Sequence, residues 1–371
     1  MIRFEDVAKV YPDGRRAVDG VGMTVEEGEC VVLVGPSGCG KTTTLKLTNR
    51  LIDPTSGRVL VNGRDTRTTD PISLRRGIGY VIQEVGLLPH MTVIENVGLV
   101  PRLLGWPKAR IVARAHELLE TVGLPARVYA HRRPFELSGG QRQRIGVARA
   151  LAADPPLILM DEPFGALDPI TRAQLQDEFV RLRRRLRKTI LFVTHDIDEA
   201  IRLGDRVAVM RDGRIAQLAP PAELLRSPAD DFVRRFVGAD RAMKLLKLAA
   251  VRDLTDRRVG AARADMSVED ARHAMAAAGA DALIVTAADG GFCGIVQAGD
   301  LTGRAGTLAA LPPRAHPRAS ADDSLHEALS RMLTEGVPWL PVVDGDNRFD
   351  GVITMTALAR LMSTAPAGAP A

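Results

Sequence analysis

The sequence predicts an α/β protein built from two different domains. Up to about Gly238, short apolar, β-branched runs alternate with helical patterns, which favours a mainly parallel sheet with helices packed around it. The clearest predicted strands are Cys30–Val34, Leu157–Met160 and Ile190–Val193. Beyond Gly238 the sequence repeats itself with an offset of 57 residues. This repeat predicts a second domain made of two similar α+β units.

The composition is that of an ordinary globular protein. The chain has 371 residues, of which 46% are hydrophobic and 26% charged, and no apolar run approaches the roughly 18 residues of a membrane helix. The start, MIRFEDVAKV, lacks the apolar core of a signal peptide, so a cytoplasmic protein is expected. Cys30, Cys39 and Cys293 are far apart and not at zinc-ligand spacing, and we expect free thiols.

The net charge of +5 does not indicate nucleic-acid binding. Lysine occurs 7 times among the 50 basic residues, which leaves 43 arginines, and we attribute this bias to genome composition. The densest basic run, RLRRRLRK over 181–188, is typical of the exposed face of a helix and contains no aromatic residue that could stack on bases. No nucleic-acid partner is expected.

The strongest chemical signal is GPSGCGKT over 35–42, which matches the phosphate-binding pattern of glycine, four residues, glycine, lysine and threonine. A strand precedes it and a helical pattern follows, so backbone amides and a helix N-terminus should face the phosphates. Lys41 should contact the β- and γ-phosphates, and the Thr42 hydroxyl should bind Mg²⁺. The residues expected to hold the nucleotide here are Gly35, Pro36, Ser37, Gly38, Cys39, Gly40, Lys41, Thr42 and Thr43.

Two further predicted strands end in candidate catalytic side chains. LILMDEP is an apolar strand that ends in Asp161 and Glu162, at the sheet edge where α/β proteins place ligand groups. We expect Asp161 to hold Mg²⁺ through water and Glu162 to orient and polarise the attacking water. LFVTHDIDEA presents His195 at the end of another strand. A histidine that stands alone there is more often structural than catalytic. The case for a catalytic His195 therefore depends on the other motifs.

The stretch ELSGGQRQR over 136–144 has no charged side chain at its centre. Ser138 precedes a helical pattern and is expected to cap that helix, whose end, with Gly139, Gly140 and Gln141, can bind a γ-phosphate through backbone amides. The paired glycines allow the backbone to approach closely. Because the phosphate loop already covers one side of the nucleotide, we expect a second protomer to supply this segment, in a head-to-tail homodimer with two shared sites.

Taken together, these motifs resemble those of the ATP-binding cassette (ABC) ATPases, which have a P-loop NTPase fold, over residues 1–238. The resemblance implies that Tyr11 in KVYPDG stacks on the adenine of ATP and that Asp168 ends a turn at the nucleotide. It also implies that Gln83 in YVIQE reaches Mg²⁺ and joins Glu162 and His195 in catalysis. By fold-level analogy, the segment GLLPHMTVIENV lines a groove that receives a helix of a membrane subunit.

Three stretches, PFGALDPITR, THDIDEA and TNRLIDPTSGRVLVNG, are similar to ATPase subunits of bacterial importers for quaternary-ammonium osmoprotectants such as glycine betaine, carnitine and choline. The resemblance implies a peripheral ATPase at the cytoplasmic face of the bacterial inner (plasma) membrane. It also implies transmembrane permease subunits and a separate substrate-binding protein as partners. Another substrate, or an exporter, is the open alternative. A soluble cassette ATPase is disfavoured, because the chain has one cassette and no heptad run.

Each 57-residue copy after the cassette resembles a cystathionine-β-synthase-type (CBS) module. We expect a linker helix at 239–250, copies at 251–305 and 306–363, and a disordered tail at 364–371. Each copy should form a helix, two strands joined by a turn, and a closing helix. The implied function of this tandem CBS pair is regulation of transport.

The two copies carry incomplete nucleotide motifs. CBS modules that hold adenosine nucleotides usually close the second strand with a hydroxyl residue and have an aspartate three positions on. The first copy keeps Asp300 but has Gln297 at the hydroxyl position, and the second keeps Thr354 but has Ala357 at the acid position. Three alternatives stay open: binding of an adenine nucleotide or cyclic dinucleotide, a response to ionic strength, and dimerisation alone.

Cys39 lies inside the phosphate loop, close to Lys41 and to a helix N-terminus. Both features lower the pKa of a thiol. We therefore expect a reactive thiolate, whose alkylation abolishes ATPase activity and is prevented by ATP. The alternative is that cysteine only fills a small space.

Overall fold

The computed structural model describes residues 1–83, 86–165, 167–311 and 313–363. The chain divides into two compact units. The first comprises residues 1–224 and 228–238, and the second comprises residues 225–227 and the chain from Ala239 onward.

The first unit contains two sheets and the helices that pack on them. Its strands are β1 (Ile2–Val10), β2 (Arg16–Val25), β3 (Cys30–Val34), β4 (Ser56–Val61), β5 (Arg64–Asp65), β6 (Ile78–Val81), β7 (Leu157–Asp161), β8 (Thr189–Thr194), β9 (Arg206–Arg211) and β10 (Arg214–Ala219).

Helices connect most of these strands. They are α1 (Lys41–Thr48), α2 (Pro71–Arg76), α3 (Val93–Val97), α4 (Leu99–Leu103), α5 (Lys108–Thr121), α6 (Ala126–Tyr129), α7 (Gly139–Leu151), α8 (Pro169–Leu186), α9 (Ile197–Leu203), α10 (Pro221–Arg226), which crosses the boundary between the units, and α11 (Asp231–Val237).

The larger sheet has six strands in the order β10-β9-β3-β8-β7-β6. All its neighbouring pairs are parallel except β10 with β9. Every residue of β3, β7 and β8 is buried. Continuous apolar strands are typical of parallel sheets that are covered on both faces, which is why these three strands could be predicted. The α/β prediction is confirmed.

A smaller antiparallel sheet, in the order β2-β1-β4-β5, was not predicted from the sequence. Along much of β1 and β4, buried side chains alternate with more exposed ones, so these strands lack the continuous buried runs of the predicted parallel strands. Ile2 and Phe4 of β1 pack in one core with Leu33 of β3 and Leu45 of α1. This core joins the antiparallel sheet to the strand and helix on either side of the predicted phosphate loop.

The second unit contains two three-stranded sheets. Its strands are β11 (Ala262–Arg263), β12 (Ala282–Thr286), β13 (Phe292–Gln297), β14 (Ala319–Ser320), β15 (Trp339–Val343) and β16 (Phe349–Thr354). Its helices are α12 (Arg241–Leu248), α13 (Val268–Ala278), α14 (Leu325–Glu335) and α15 (Met355–Ser363). The predicted disordered tail at 364–371 lies outside the described residues.

The sequence repeat is reproduced in the caps of two helices. Ser267 caps α13 and Ser324 caps α14, each accepting a hydrogen bond from the backbone N–H three residues on. Both helices end at a glycine in the left-handed region, Gly279 at φ 60° and Gly336 at φ 66°. The two copies therefore use the same start and stop signals at equivalent positions.

The copies interlock, which the sequence did not reveal. Leu246 of α12 and Val251, both ahead of the first copy's sheet, are buried in the core of the second copy. Leu308 and Leu311, ahead of the second copy's sheet, are buried in the core of the first. The predicted linker helix α12 thus contributes to a hydrophobic core of the second unit.

The closing helix was predicted for both copies, but it is present only in the second, as α15. In the first copy, a 3₁₀ turn over Ala298–Leu301 takes its place. Gly299 lies inside that turn, and Gly303 follows it at φ 68°. Glycine disfavours a continued helix, whereas the second copy has TALARLM at the same position.

Candidate active site

The phosphate loop follows β3 and leads into α1. Gly35, Gly38 and Gly40 have φ angles of 155°, 79° and 107°. A Cβ atom on Gly40 would lie 2.2 Å from the carbonyl oxygen of Ala17, and one on Gly35 would lie 2.3 Å from that of Met210. The backbone packs so closely at these two positions that only glycine fits.

Lys41 and Thr42 begin α1 beneath this loop. The Lys41 Nζ donates hydrogen bonds to the carbonyl oxygens of Gly35 at 2.7 Å and Pro36 at 3.0 Å. The Thr42 Oγ1 donates to the Asp161 Oδ1 at 3.0 Å. Burial raises the pKa of the Asp161 carboxyl, and the Thr42 hydrogen bond opposes that shift. The predicted metal-binding hydroxyl and carboxylate are therefore direct neighbours.

Three predicted catalytic side chains meet at the end of β7. The Glu162 Oε2 lies 3.2 Å from the His195 Nδ1 and accepts a hydrogen bond from the Gln83 Nε2 at 3.4 Å. Glu162 also lines an open cavity of about 640 Å³. The rest of its lining is Arg15, Ala17, Ser37, Gly38, Gly40, Lys41, Thr42 and Thr43. A carboxylate held by two polar neighbours thus faces the cavity at the phosphate loop.

The LSGGQ segment forms the capped end of α7, as predicted. The Ser138 Oγ accepts from the Gln141 N–H at 3.3 Å, and the Gln141 Oε1 accepts from the Ser138 N–H at 3.0 Å. Ser138 and Gly139 are exposed, whereas Gly140 is buried. None of the four residues Ser138 to Gln141 lines the phosphate cavity described above. In the described part of the protomer, this segment therefore stays outside the cavity at the phosphate loop.

The two remaining predicted nucleotide contacts lie on different elements. Asp168 caps α8 and accepts a hydrogen bond from the Thr171 N–H at 3.0 Å; hydrogen bonding by the Thr171 side chain and backbone lowers the pKa of its carboxyl. Tyr11 follows β1, and the Arg15 guanidinium carbon lies 5.0 Å from the centroid of its ring. The sequence prediction missed Arg15. The signal available was a cation four residues after an aromatic residue, in a turn marked by PDG.

The described residues contain no cluster of three or more His, Cys, Asp or Glu side chains that could bind a metal on their own. A Mg²⁺ ion at Thr42 and Asp161 would take further oxygen ligands from the phosphates and water, as is usual for this ion. Separately, no helix among the described residues is long and apolar enough to cross a membrane.

The predicted ligand residues of the CBS pair are already hydrogen-bonded within the unit. Asp300 accepts from the Arg314 Nη2 at 2.5 Å and from the Gln297 N–H at 3.0 Å, and these contacts lower the pKa of its carboxyl. The Thr354 Oγ1 accepts from the Ala357 N–H at 3.1 Å. A nucleotide that used Asp300 would have to displace the side chain of Arg314.

Comparison with known proteins supports the predicted class of both the cassette and the repeated copies. The ABC transporter family matches residues 18–165, and the CBS domain family matches residues 251–305 and 313–364. The chain is 48% identical over 369 residues to the osmoprotectant import ATP-binding protein of Salmonella typhimurium, covering 98% of this chain and 97% of that protein. It is 43% identical over 366 residues to the glycine betaine/carnitine/choline transport ATP-binding protein of Bacillus subtilis, covering 98% and 96%.

Among solved structures, the chain is similar to the dimeric post-hydrolysis state of an ATP-binding cassette bound to ADP and Pi. The sequence identity is 36%, the TM-score is 0.54, and the match covers 60% of this chain and 99% of that one.

The fold and site define an ATP-binding cassette ATPase joined to a CBS pair. The chain belongs to the family of ATP-binding subunits of ABC transporters, in the group with a C-terminal CBS pair. The resemblance to osmoprotectant importer subunits and the predicted ATPase class are confirmed.

The predicted reactive thiolate at Cys39 is wrong. The side chain is 4% exposed, and burial raises the pKa of its thiol, although the Lys41 Nζ lies 3.8 Å from the sulfur. Lys41 is directed to two backbone carbonyls, so its charge does not overcome the loss of solvation. Burial also raises the pKa of Cys30, to about 12. The predicted free thiols are confirmed.

We therefore expect iodoacetamide at neutral pH to modify the exposed Cys293 first, with Cys39 and Cys30 slower by on the order of tenfold or more. Raising the pH should accelerate labelling of Cys39, because more of its thiol is ionised. Mass spectrometry of timed digests measures each rate, and protein unfolded in guanidinium supplies the control in which all three thiols react. Equal labelling rates of Cys39 and Cys293 in the folded protein would support a reactive thiolate at Cys39.

Proposed function

We propose that ATP hydrolysis by this chain drives the import of a quaternary-ammonium osmoprotectant, of the glycine betaine, carnitine or choline type. The observation that carries this proposal is similarity over 98% of the chain, cassette and CBS pair together, to two ATP-binding proteins named for such transport. The partners are transmembrane permease subunits and a separate binding protein. The chain lies at the cytoplasmic face of the bacterial inner (plasma) membrane, where residues 86–97 receive a helix of the permease.

Some of the site residues bind ATP and Mg²⁺, and others take part in the hydrolysis. Lys41 and the loop amides hold the β- and γ-phosphates of ATP, and Tyr11 stacks on adenine. Thr42, Asp161 and Gln83 hold Mg²⁺, which stabilises the charge of the transferred phosphoryl group when bound. The Thr42–Asp161 hydrogen bond at 3.0 Å supports this assignment, since it places hard oxygen donors together.

Glu162 polarises the attacking water, and His195 orients it together with Gln83. The contacts of 3.2 and 3.4 Å to the same carboxylate oxygen support this division of roles. They fix one oxygen of the carboxylate and leave the other to contact water in the cavity.

A second copy of the chain completes the site. Ser138, Gly139, Gly140 and Gln141 form a helix N-terminus suited to a γ-phosphate, yet they do not line the phosphate cavity of their own protomer. Asp168 lies on the exposed loop ahead of α8 and joins the same interface. A head-to-tail homodimer with two shared ATP sites satisfies both observations.

The CBS pair, with its boundary at residue 238, regulates this cycle. Its ligand is an adenine nucleotide or a cyclic dinucleotide, or its trigger is ionic strength. The interlocked copies support a regulatory role, because each copy's core contains residues from the segment ahead of the other, so a change at one would reach the other.

The substrate assignment is tested with the membrane complex. The chain should co-purify with the permease subunits encoded beside it, and loaded binding protein should stimulate ATP hydrolysis by the reconstituted complex. Glycine betaine, carnitine and choline are compared with proline and an amino-acid mixture as controls. Stimulation by the controls alone would reject the osmoprotectant assignment, and an adjacent exporter operon without a binding protein would favour export.

Replacing Glu162 by glutamine should lower ATP hydrolysis by about 100-fold or more, because the amide cannot polarise water as a carboxylate does. Binding of ATP should be retained, and the variant should accumulate as an ATP-bound dimer. Phosphate release and light scattering at saturating ATP measure the two effects, with Lys41→Ala as the binding-deficient control. A variant that keeps wild-type turnover would remove Glu162 from the catalytic role.

Truncation after Gly238 should leave basal ATPase activity and transport in place and abolish the response to osmotic upshift or to the nucleotide. The reason is that every proposed hydrolysis residue lies at or before His195. Uptake of labelled betaine before and after upshift compares the truncated and full chains. Unchanged regulation leaves dimerisation as the only role of the pair, and lost hydrolysis shows that the boundary is misplaced.

A further inference from the structure

Arg15 lies at the edge of the phosphate cavity, in a tight turn with Tyr11. The Tyr11 N–H donates to the Arg15 carbonyl oxygen at 2.9 Å, and the Gly14 N–H donates to the Tyr11 carbonyl oxygen at 2.9 Å. The Arg15 guanidinium carbon lies 5.0 Å from the centroid of the Tyr11 ring, which is within the range of a cation–π contact. The Arg15 guanidinium therefore lies against the Tyr11 ring, which is proposed to stack on adenine.

The same side chain lines the cavity that contains Lys41, Thr42 and Thr43. Among the residues that the structure describes, no carboxylate forms an ion pair with Arg15. Its neighbour Asp13 accepts a hydrogen bond from the Arg15 backbone N–H at 3.0 Å. Arg15 thus differs from Arg16, whose Nη1 is paired with the Asp19 Oδ1 at 2.6 Å.

A second cation on the cavity wall would add to the charge of Lys41. The polyphosphate of a nucleotide carries several negative charges, and the Lys41 Nζ divides its hydrogen bonds between two loop carbonyls. An arginine guanidinium is always charged and binds phosphate oxygens in a bidentate manner. Arg15 is an arginine on the cavity wall without a carboxylate partner in the described chain.

We propose that Arg15 is a second cationic contact for the phosphates of the nucleotide. Adenine takes the place of the guanidinium on the Tyr11 ring, and the displaced guanidinium binds the phosphate chain. The inference rests on the ATP site proposed above. The phosphate chain attracts the guanidinium with or without a base, and its departure leaves the Tyr11 ring free for adenine.

The test compares Arg15→Ala with Arg16→Ala in the full-length chain. Arg16 is the matched control, since it is adjacent, also exposed and ion-paired with Asp19, a carboxylate that also pairs with Arg214. Titration calorimetry measures the Kd for Mg-ATP and for inorganic tripolyphosphate, which has no base. Arg15→Ala should raise the Kd for Mg-ATP about tenfold and should also weaken tripolyphosphate, whereas Arg16→Ala should change neither. Arg15→Lys should recover part of the loss.

Several results would overturn the role of Arg15. An unchanged Kd for Mg-ATP removes the contact, and tighter binding means that the guanidinium only obstructs the ring. If Arg15→Ala weakens the binding of Mg-ATP but not that of tripolyphosphate, Arg15 contacts the adenine base and not the phosphates. Lys41→Ala tests the proposed ATP site independently of Arg15. Normal ATP binding by that variant would show that the phosphate loop itself is wrongly assigned.

Discussion

The active site depends on one constraint, which is that β3, β8 and β7 are adjacent parallel strands whose carboxyl ends meet at one edge of the sheet. The phosphate loop follows β3, the acidic pair ends β7, and His195 follows β8. The strand register pairs Val34 with Thr194 and Asp161 with Val193, so the three ends are level. Contacts between residues more than a hundred positions apart, such as Thr42 with Asp161, follow from this alignment.

Backbone conformations that few residues adopt fix the site within that edge. Glu162 has a φ of 44°, which costs a non-glycine residue on the order of 1–3 kcal/mol. Its N–H donates to the Val193 carbonyl oxygen at 2.9 Å, so β8 holds the turn in place. The strained turn brings the carboxylate to His195. The buried sheet stabilises this turn, which is why Glu162, the proposed catalytic carboxylate, can occupy a conformation that the isolated chain would avoid.

The sequence predicted the local parts of this arrangement well. Apolar runs gave β3, β7 and β8, and Ser138 marked the start of α7, because these signals act over a few residues. It did not predict properties that depend on the assembled fold. The antiparallel sheet has an alternating pattern, and the environment of Cys39 is set by burial that proximity to Lys41 in sequence cannot show. The sequence motifs also did not indicate Arg15, because the turn that it forms with Tyr11 is what places it at the cavity.

Interlocking joins the two copies of the second unit. A CBS copy that packed only on itself could change shape without affecting the other. Here the segment ahead of each copy is buried in its partner copy, through Leu246 and Val251 on one side and Leu308 and Leu311 on the other. Gly291 and Arg348 pair where the two copies meet. Since α12 directly follows the cassette in the chain and contributes Leu246 to this core, the predicted linker is part of the packed second unit.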